Sequence, residues 1–551
     1  MDNVFNLIHR PWLPVRRQSG ALETVTPWQI TAGLKTDPIL ALAWPRPDFN
    51  GAALEFLIGL LSTAAPPRDE EDWRAAWNAP PSPEALRDRF ETVAHAFDLD
   101  GPGPRFLQDM DPLDEAEDKP AAALLIDAPG AQTLRNNADL FVKRGGAAAL
   151  GRPAAAMALF TLNAFAPSGG AGHRTSLRGG GPMTTLLVAG DSLWARLWPN
   201  VETTAQAAAR TGGTRGPDDP AAIFPWLGPT RASNPKTRGR PTTPEDVHPL
   251  QVYWGMPRRI RLDFQPADGE TCGITGQPET MMLKTYRTRN YGTDYSEGFL
   301  HPLTPYYRTK EGTAKLPVHP QPGGIGYRHW PGLVVRTGDR LRDPAQTVRQ
   351  GLAERRALRG RLRVAAFGYD MDNMKARAWI ESEMPVMLID DADHRELAEL
   401  FVNQTVNGAG MAARLLTGAV KSALFERPTD APGDFGFIGE RFWRATETDF
   451  YKALTGAAKL IGAAGDEEDD PTVPAREDWA KTIRRAALRL FDDLVPIDPM
   501  DSGKMGRHVK ARVSLAFALS GRGKAGQALF GKELDIAFPA PSKPAKEATP
   551  A

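Results

Sequence analysis

The sequence predicts an α+β protein: a large mixed α/β N-terminal domain over residues 1–380, a C-terminal four-helix bundle over 381–535 and a disordered tail over 536–551. Three observations predict it. Short apolar–polar alternations, broken by proline and glycine, fill the first two thirds of the chain, the pattern of strands and short helices with turn-rich connections. From about Pro385 the apolar spacing lengthens to the helical period, first at Leu397, Leu400, Phe401, Met411 and Leu415. The end of the chain, from Pro539, is rich in Pro, Ala and Lys, a composition that buries too little surface to order itself.

In chain order, Asn6 to Arg16 reads as a first strand, with Pro11 and Pro14 confining it to a sheet edge or bulge. Gly20 marks a hairpin turn and Leu22 to Val25 a returning strand. Asn50 is the expected N-cap of a buried helix through Leu54, Phe56, Leu57, Ile58, Leu60 and Leu61, closed by Pro66-Pro67. Ser82-Pro83 starts a helix that continues to Phe97. Residues 109–119, DMDPLDEAEDK, read as a solvated acidic loop. Met183–Val188 and Ser192–Leu197 read as strands, and 203–249 as a long irregular stretch. Val252–Phe264 supplies strand pieces, and 283–308 interleaves basic residues with tyrosines, a mixture that can stack bases and hold phosphates. The bundle helices follow: one interrupted near Gly408 and Gly410, one over Phe442–Leu454, one over Trp479–Leu494 with Trp479, Ile483, Ala486, Leu490 and Leu494 on one face, and one over 508–519 with Val509, Val513, Leu515 and Leu519.

With 67 Lys+Arg against 67 Asp+Glu the chain is formally neutral. Neutrality argues against a protein that coats nucleic acid on its own, and fits local basic patches on one subunit of a larger assembly. The single cysteine, Cys272, permits no internal disulfide and no thiolate zinc site, which fits a reducing compartment. The first residues hold no long apolar core of a signal peptide, and no run reaches bilayer-spanning length. A cytoplasmic protein without membrane contact is expected.

Two glycine-rich loops carry the binding signal. Phe141-Val142-Lys143-Arg144 precedes Gly145-Gly146, and Ser168-Gly169-Gly170-Ala171-Gly172-His173-Arg174 runs into Leu177-Arg178-Gly179-Gly180-Gly181-Pro182. Glycine lets a backbone approach a ligand closely, and flanking cations favour an anionic one. Lys236 to Pro241, with Arg238 and Arg240, contains an Arg-Gly-Arg-Pro core like that of peptides lying in the minor groove. Lys481, Arg484, Arg485, Lys504, Arg507, Lys510 and Arg512 offer the bundle a basic surface for a nucleic-acid backbone. Signatures of catalysis are missing: Gly521-Arg522-Gly523-Lys524 lacks the hydroxyl residue of a phosphate loop, no HExxH helix or G-x-S-x-G elbow occurs, and the nine histidines are dispersed. No catalytic residue, metal or cofactor is expected. A nuclease with a dispersed carboxylate site and a stand-alone RNA-binding protein are the alternatives.

Taken together, several stretches are collinear with one family. They are Asn6-Leu7-Ile8 with Trp12 to Arg16; Leu57 to Pro66 with Asp69 to Trp73; Arg105 to Gln108; Pro167 with Leu177 to Gly180 and Pro182 to Thr185; Trp254 to Ile260; His301-Pro302; and Gly368-Tyr369. In order and spacing they resemble the large subunit of type I-E CRISPR surveillance complexes (Cascade), the CasA family. The resemblance implies a non-catalytic DNA-binding subunit that recognises the protospacer-adjacent motif in double-stranded target DNA from the minor groove. It also implies that the subunit starts strand separation and recruits a helicase–nuclease for antiviral defence, its other partners being the guide RNA and the remaining Cascade subunits. Base pairing with the guide then reads most of the sequence. Carried over by position, Phe141, Val142, Lys143 and Arg144 contact the guide RNA's handle. Ser168, Gly169, Gly170, Ala171 and Gly172 approach the groove, and Asp372 and Asn373 form a wedge beneath the motif. Lys284, with Arg287 and Arg289 beside it, is the basic finger. Arg238, Arg240, Lys504, Arg507 and Lys510 would hold DNA backbone without sequence preference. The sequence departs from the family pattern at three points: Cys272 stands alone where some relatives carry a cysteine cluster, Asn373 replaces a glutamine, and Ser168 and Ala171 replace glycines.

Overall fold

The computed structural model describes residues 4–538 apart from 138, 140–143, 168, 171, 214–215, 268, 356, 359–361, 373, 387–391, 465–469 and 497–501. Its residues fall into two compact units, Met1–Ile325 with Leu341–Leu388, and Gly326–Arg340 with Ile389–Ala551. The excursion of 326–340 into the second unit has no counterpart in the linear division read from sequence.

In the first unit β1 is Leu13–Arg17, with Leu13 and Val15 buried on one face. Gly20, at φ +90°, turns the chain into β2, Leu22–Val25, and β3, Ile39–Leu42, pairs on the other side in the order β2-β1-β3. β1 is therefore central, and of the two placements its prolines predict, sheet edge or bulge, the structure shows the irregular register and not the edge. Pro14 contributes a carbonyl, to the Ala43 N–H at 2.8 Å, and the β1–β3 register shifts at Arg16/Arg17.

Helix α1, Pro47–Ala64, starts after Arg46; Asn50 lies inside it and its amide clasps the Trp44 backbone, at 2.9 and 3.1 Å. Next come α2, Glu70–Asn78, and α3, Pro83–Glu91, capped by Ser82 as expected. α3 stops short because Phe97 must turn into the core. β4 (Asp118–Pro120), α4 (Ala131–Arg135), β5 (Leu150–Gly151), α5 (Arg152–Phe165) and β6 (Thr184–Val188) follow.

Leu193–Leu197 forms helix α6, not a strand, because the Ser192 hydroxyl accepts the Ala195 N–H at 3.2 Å as an N-cap. The stretch 203–249 is built of α7 (Thr204–Arg210), α8 (Pro220–Ile223) and three-residue turns, and is pinned by the fully buried Trp226. β7 (Arg259–Pro266) and β8 (Met281–Arg289) complete a sheet with β4 and β5. β9 (Tyr306–Tyr307), β10 (Leu316–Pro317) and β11 (Arg342–Asp343) make a small sheet. The long hairpin β12 (Leu362–Asp372) and β13 (Lys375–Val386) pairs with β6 in the order β13-β12-β6.

The core of this unit is aromatic. Phe56 makes edge contacts with Trp12, Phe97, Phe106, Phe160 and Trp254 at centroid distances of 5.3 to 6.0 Å. Each such pair adds about 0.5–1.5 kcal/mol beyond its buried area. Three of its indole N–H groups find acceptors: Trp12 donates to Leu7 O, Trp226 to Ala96 O and Trp254 to Thr63 Oγ1, at 2.8, 2.6 and 2.9 Å. Beside this core, Arg178 meets Glu55 of α1 at 2.6 Å in a fully enclosed pair, and also donates to Thr184 and Thr304.

The second unit holds α9 (Trp330–Leu333) and, after α10 (Gln346–Glu354) of the first unit, four long helices: α11 (Ala392–Leu424), α12 (Gly436–Ala463), α13 (Val473–Leu494) and α14 (Ser502–Ala518). α11 runs unbroken through Gly408, where a Cβ would strike the Leu534 side chain; this glycine serves close packing and does not interrupt the helix. On α13, Ala487 and not Ala486 is buried with Trp479, Ile483 and Leu490. α14 buries His508, Ala511 and Leu515, leaving Val509 and Val513 exposed against expectation. Tyr327 stacks on Phe450 at 4.5 Å and bonds Thr446 at 2.7 Å inside this unit.

Candidate nucleic-acid interface

Three pieces of the first unit converge: the loop after α5, the segment after β8 and the tip of the β12–β13 hairpin. The loop leaves α5 at Ala166, whose carbonyl accepts the Ser176 N–H at 3.3 Å and closes the loop's base. Inside it Gly169 N donates to His173 O at 3.2 Å, and Gly170 and Gly172 take φ +71° and +84°. A Cβ at Gly170 would meet nothing, whereas one at Gly172 would lie 3.0 Å from Asn290 and from the Tyr291 ring. The Tyr291 N–H donates to Gly172 O at 2.7 Å. Arg174 holds Ser233 at 2.9 Å and Asp294 at 3.2 Å. Arg258 lies beneath, its guanidinium donating to Pro167 O. Burial pushes the Arg258 group down to about 10, and burial first, then Arg258, lowers His173.

The trailing glycines join this loop to the hairpin. A Cβ on Gly180 would lie 2.7 Å from Pro167 Cα, and one on Gly181, at φ +64°, 2.7 Å from both Met371 Cγ and Tyr369 O. Gly368 in turn abuts the Pro182 carbonyl. Only residues without a Cβ permit these approaches. In the hairpin Tyr369 pairs with Trp379 and Asp372 with Lys375. Arg377 holds Asp370 at 2.7 Å and stands 4.0 Å from Asp372. Met374, at the tip, is 54% exposed.

Of the residues expected at the interface, Gly169, Gly170, Gly172 and Asp372 are brought to this convergence. Ser168, Ala171 and Asn373 lie outside the described residues, as do Phe141, Val142 and Lys143 of the guide-RNA loop. Arg144 is clamped on Asp139 at 2.5 Å, which raises the arginine and lowers the carboxyl. Lys284 pairs with Glu270 at 2.7 Å and stands about 20 Å back along β8 from Asn290 at the extended-strand rise.

Arg287 pairs with Asp114, and Arg289 with Glu115 at 3.2 Å and Asp111 at 3.5 Å. Arg259 meets Asp109 at 2.5 Å, and Asp109 is fully buried. The acidic segment 109–115 is thus the counter-charge of the β7–β8 arginines, with Asp114 and Glu115 solvated as expected and Asp109 buried. Arg240 is held by Asp246 at 2.6 Å, while Gly239 packs against Ala232 and Asn234, so the Arg-Gly-Arg-Pro segment is folded onto the domain. Arg238 is exposed, at φ +60°.

In the second unit Lys504 and Lys510 are exposed on α14, and Arg507 donates to Ala423 O near the α11 C-terminus at 2.8 Å. Lys481 pairs with Asp478 at 2.8 Å, Arg512 with Asp492 at 2.6 Å, and Arg484 and Arg485 are exposed. Arg258 enters from the sequence only as one of the arginines of the Val252–Phe264 strand pieces, and Asn290, Tyr291, Met371 and Met374 carry no individual assignment there. Their only local signal is adjacency to glycine, at Gly292 and Gly368, and the contacts that recruit them are remote in sequence.

Among the described residues no group of three or more His, Cys, Asp or Glu side chains is arranged to hold a metal ion, and no helix is long and apolar enough to cross a membrane. A sequence model of the family described as CRISPR-associated protein Cse1 matches residues 6–490. The chain belongs to the Cse1 family. Solved Cse1 structures share its fold. That of Thermobifida fusca Cse1 superposes with a TM-score of 0.68 at 17% identity, over 94% of this chain and 98% of that one. That of Acidimicrobium ferrooxidans gives 0.65 at 16%, over 94% and 99%. A chain of a structure described as a CRISPR RNA-guided surveillance complex gives 0.67 at 17%, over 93% and 100%. A comparison with curated proteins finds no match. Cse1 membership accounts for the mixed N-terminal unit and the helical C-terminal one.

Proposed function

We propose that this chain is the DNA-contacting large subunit of an RNA-guided CRISPR surveillance complex. It reads the short motif beside a target from the minor groove, parts the first base pair, and leaves cleavage to a helicase–nuclease that it recruits. Family membership supports the setting. The observation that carries the role is the close approach of the glycine loop to the β12–β13 hairpin through Gly181 and Gly368, with Gly180 packed on Pro167 at the loop's own base.

The minor groove is about 6 Å wide, and a glycine backbone enters where a side chain does not. Its code is degenerate, so a backbone reader there tolerates several motifs. A hairpin tip with an exposed methionine suits a wedge that unstacks a base step. The β8 cations sit in exposed ion pairs of small net value, which phosphates can displace. Residues 141–144 face the guide RNA in this reading, and Lys284 is the basic finger.

The test is reconstitution with the partner subunits and a guide RNA, followed by gel-shift titration of duplexes with and without the motif. Lys284→Ala is expected to weaken binding of motif-bearing duplex several-fold while guide-RNA assembly stays intact. Unchanged affinity would remove the finger assignment. Motif-independent binding by the wild-type complex would remove the reading itself. Cleavage of labelled DNA by the purified chain with magnesium or manganese would favour the nuclease alternative.

A further inference from the structure

We infer that Arg258 and the Gly169–Gly170 backbone form an anion site that a phosphate of the target duplex completes. The inference rests on the reading of the 167–174 loop as the one that faces DNA.

The buried charge at Arg258 is out of balance. Arg152, Arg178, Arg355 and Arg476 are as deeply buried as Arg258. Each of those four meets a carboxylate: Asp100 at 3.3 Å, Glu55 at 2.6 Å, Glu70 at 3.8 Å and Asp470 at 2.6 Å. Arg258 makes no ion pair among the described residues. Its one protein acceptor is the neutral Pro167 carbonyl, and its Nε has no partner. Buried guanidinium groups are otherwise paired, because a lone charge taken from water is costly.

No neighbour relieves the deficit. Tyr286, the nearby group that favours the charge, is itself held neutral by burial, pushed up to about 12. His173 feels repulsion from both Arg258 and Lys119. The carboxylate of Asp294 is occupied by Arg174. The field at this loop is therefore positive and uncompensated.

The opening to the charge is glycine. A Cβ at Gly169 would stand 3.4 Å from Arg258 Nη1, and one at Gly170 would meet open space. A ligand laid over these two glycines reaches the guanidinium beside His173, whose Cβ and Cδ2 lie 3.4 and 3.8 Å from the Gly169 Cβ position. An oxyanion fits both the charge and the Gly170 N–H, the Gly169 N–H being taken by His173 O. A phosphodiester of the duplex is the oxyanion that such a loop would meet while tracking a groove. A contact of this kind positions DNA without reading sequence.

The experiment uses the reconstituted complex with guide RNA and measures duplex affinity across a salt series. Arg258→Gln is expected to lower the slope of log K against log salt by about 0.9, the value for one phosphate contact. The affinity loss should be equal for motif-bearing and motif-free duplexes, and Arg258→Lys should retain the slope. Gly169→Glu guards against a folding defect in the first variant: by placing a carboxylate on Arg258 it should raise the melting temperature of the chain while lowering the slope by the same amount.

An unchanged slope in Arg258→Gln with lost motif discrimination would overturn the inference in favour of a purely structural hold on Pro167. A Gly169→Glu variant that melts lower would overturn it too. A defect confined to guide-RNA assembly would assign the phosphate to RNA and also overturn it. The wild-type arm separates the two failures: no motif preference there sinks the loop's proposed role, whatever Arg258 does.

Discussion

Gly181 shows how much a single residue settles in this molecule. Its φ of +64° is the left-handed region, and two of the atoms its Cβ would meet, Tyr369 O and Met371 Cγ, are 2.7 Å away. The carbonyl belongs to β12 and cannot step aside. Gly181→Ala is therefore expected to cost about 1–3 kcal/mol, read as a fall in melting temperature. It should also weaken motif-duplex binding by moving the hairpin from the loop. Arg178 makes the companion case. Read in sequence it is one more cation beside a glycine run, and thus a candidate for an anionic ligand. In the structure Glu55, 123 residues away, has taken it. Glu55→Gln strands a buried guanidinium and should destabilise by about 3–5 kcal/mol. The double change Glu55→Leu with Arg178→Met should recover much of that loss in a denaturant titration. Nothing local distinguishes Arg178 from Arg174, and both meet a remote carboxylate; the difference is that the Arg178–Glu55 pair is enclosed and the Arg174–Asp294 pair is partly exposed.

At the scale of elements, β8 and the acidic segment 109–115 define each other. Alternation made β8 legible, and composition made the acidic run legible as charged. What the sequence did not show was that Asp111, Asp114 and Glu115 answer Arg287 and Arg289. Exposed pairs of this kind are worth little and are screened by salt. Their effect is on the field instead: they lower the positive potential along β8. The variant Asp114→Asn with Glu115→Gln is expected to raise affinity for motif-free duplex several-fold near 50 mM salt. The gain should vanish by about 300 mM, a pattern that fluorescence anisotropy would follow directly. A similar logic explains the misread elements. Ser192 capped a helix where apolar residues read as a strand, and Gly408 fitted Leu534 inside a helix where glycine read as a break. In both, a hydrogen bond or a packing partner overrode the local preference.

The molecule as a whole was legible in its broad division, because a change from alternation to helical spacing near Pro385 is a property of the sequence itself. The transfer of Gly326–Arg340 into the second unit was not, since it depends on Tyr327 and Trp330 finding Phe450. The first unit also carries a stability signature in its histidines. His301 is enclosed, and burial, then Arg178 and Arg210, drive its pKa well below the ordinary 6.5. Burial lowers His319, His173 and His248 in the same direction. Each imidazole stays neutral in the folded chain at a pH where the unfolded chain takes up a proton. The unfolded state then binds more protons, so stability rises with pH through this window and is lost as pH falls below about 6.5. The melting temperature of the isolated chain should be level from pH 8 to 7 and decline steadily from 6.5 to 5.5, above the range where most carboxylates titrate. His301→Gln has no proton to gain there. Its melting temperature will be lower at pH 8 but should fall less between pH 6.5 and 5.5 than that of the wild type, and parallel curves for the two proteins would show that His301 does not carry the dependence.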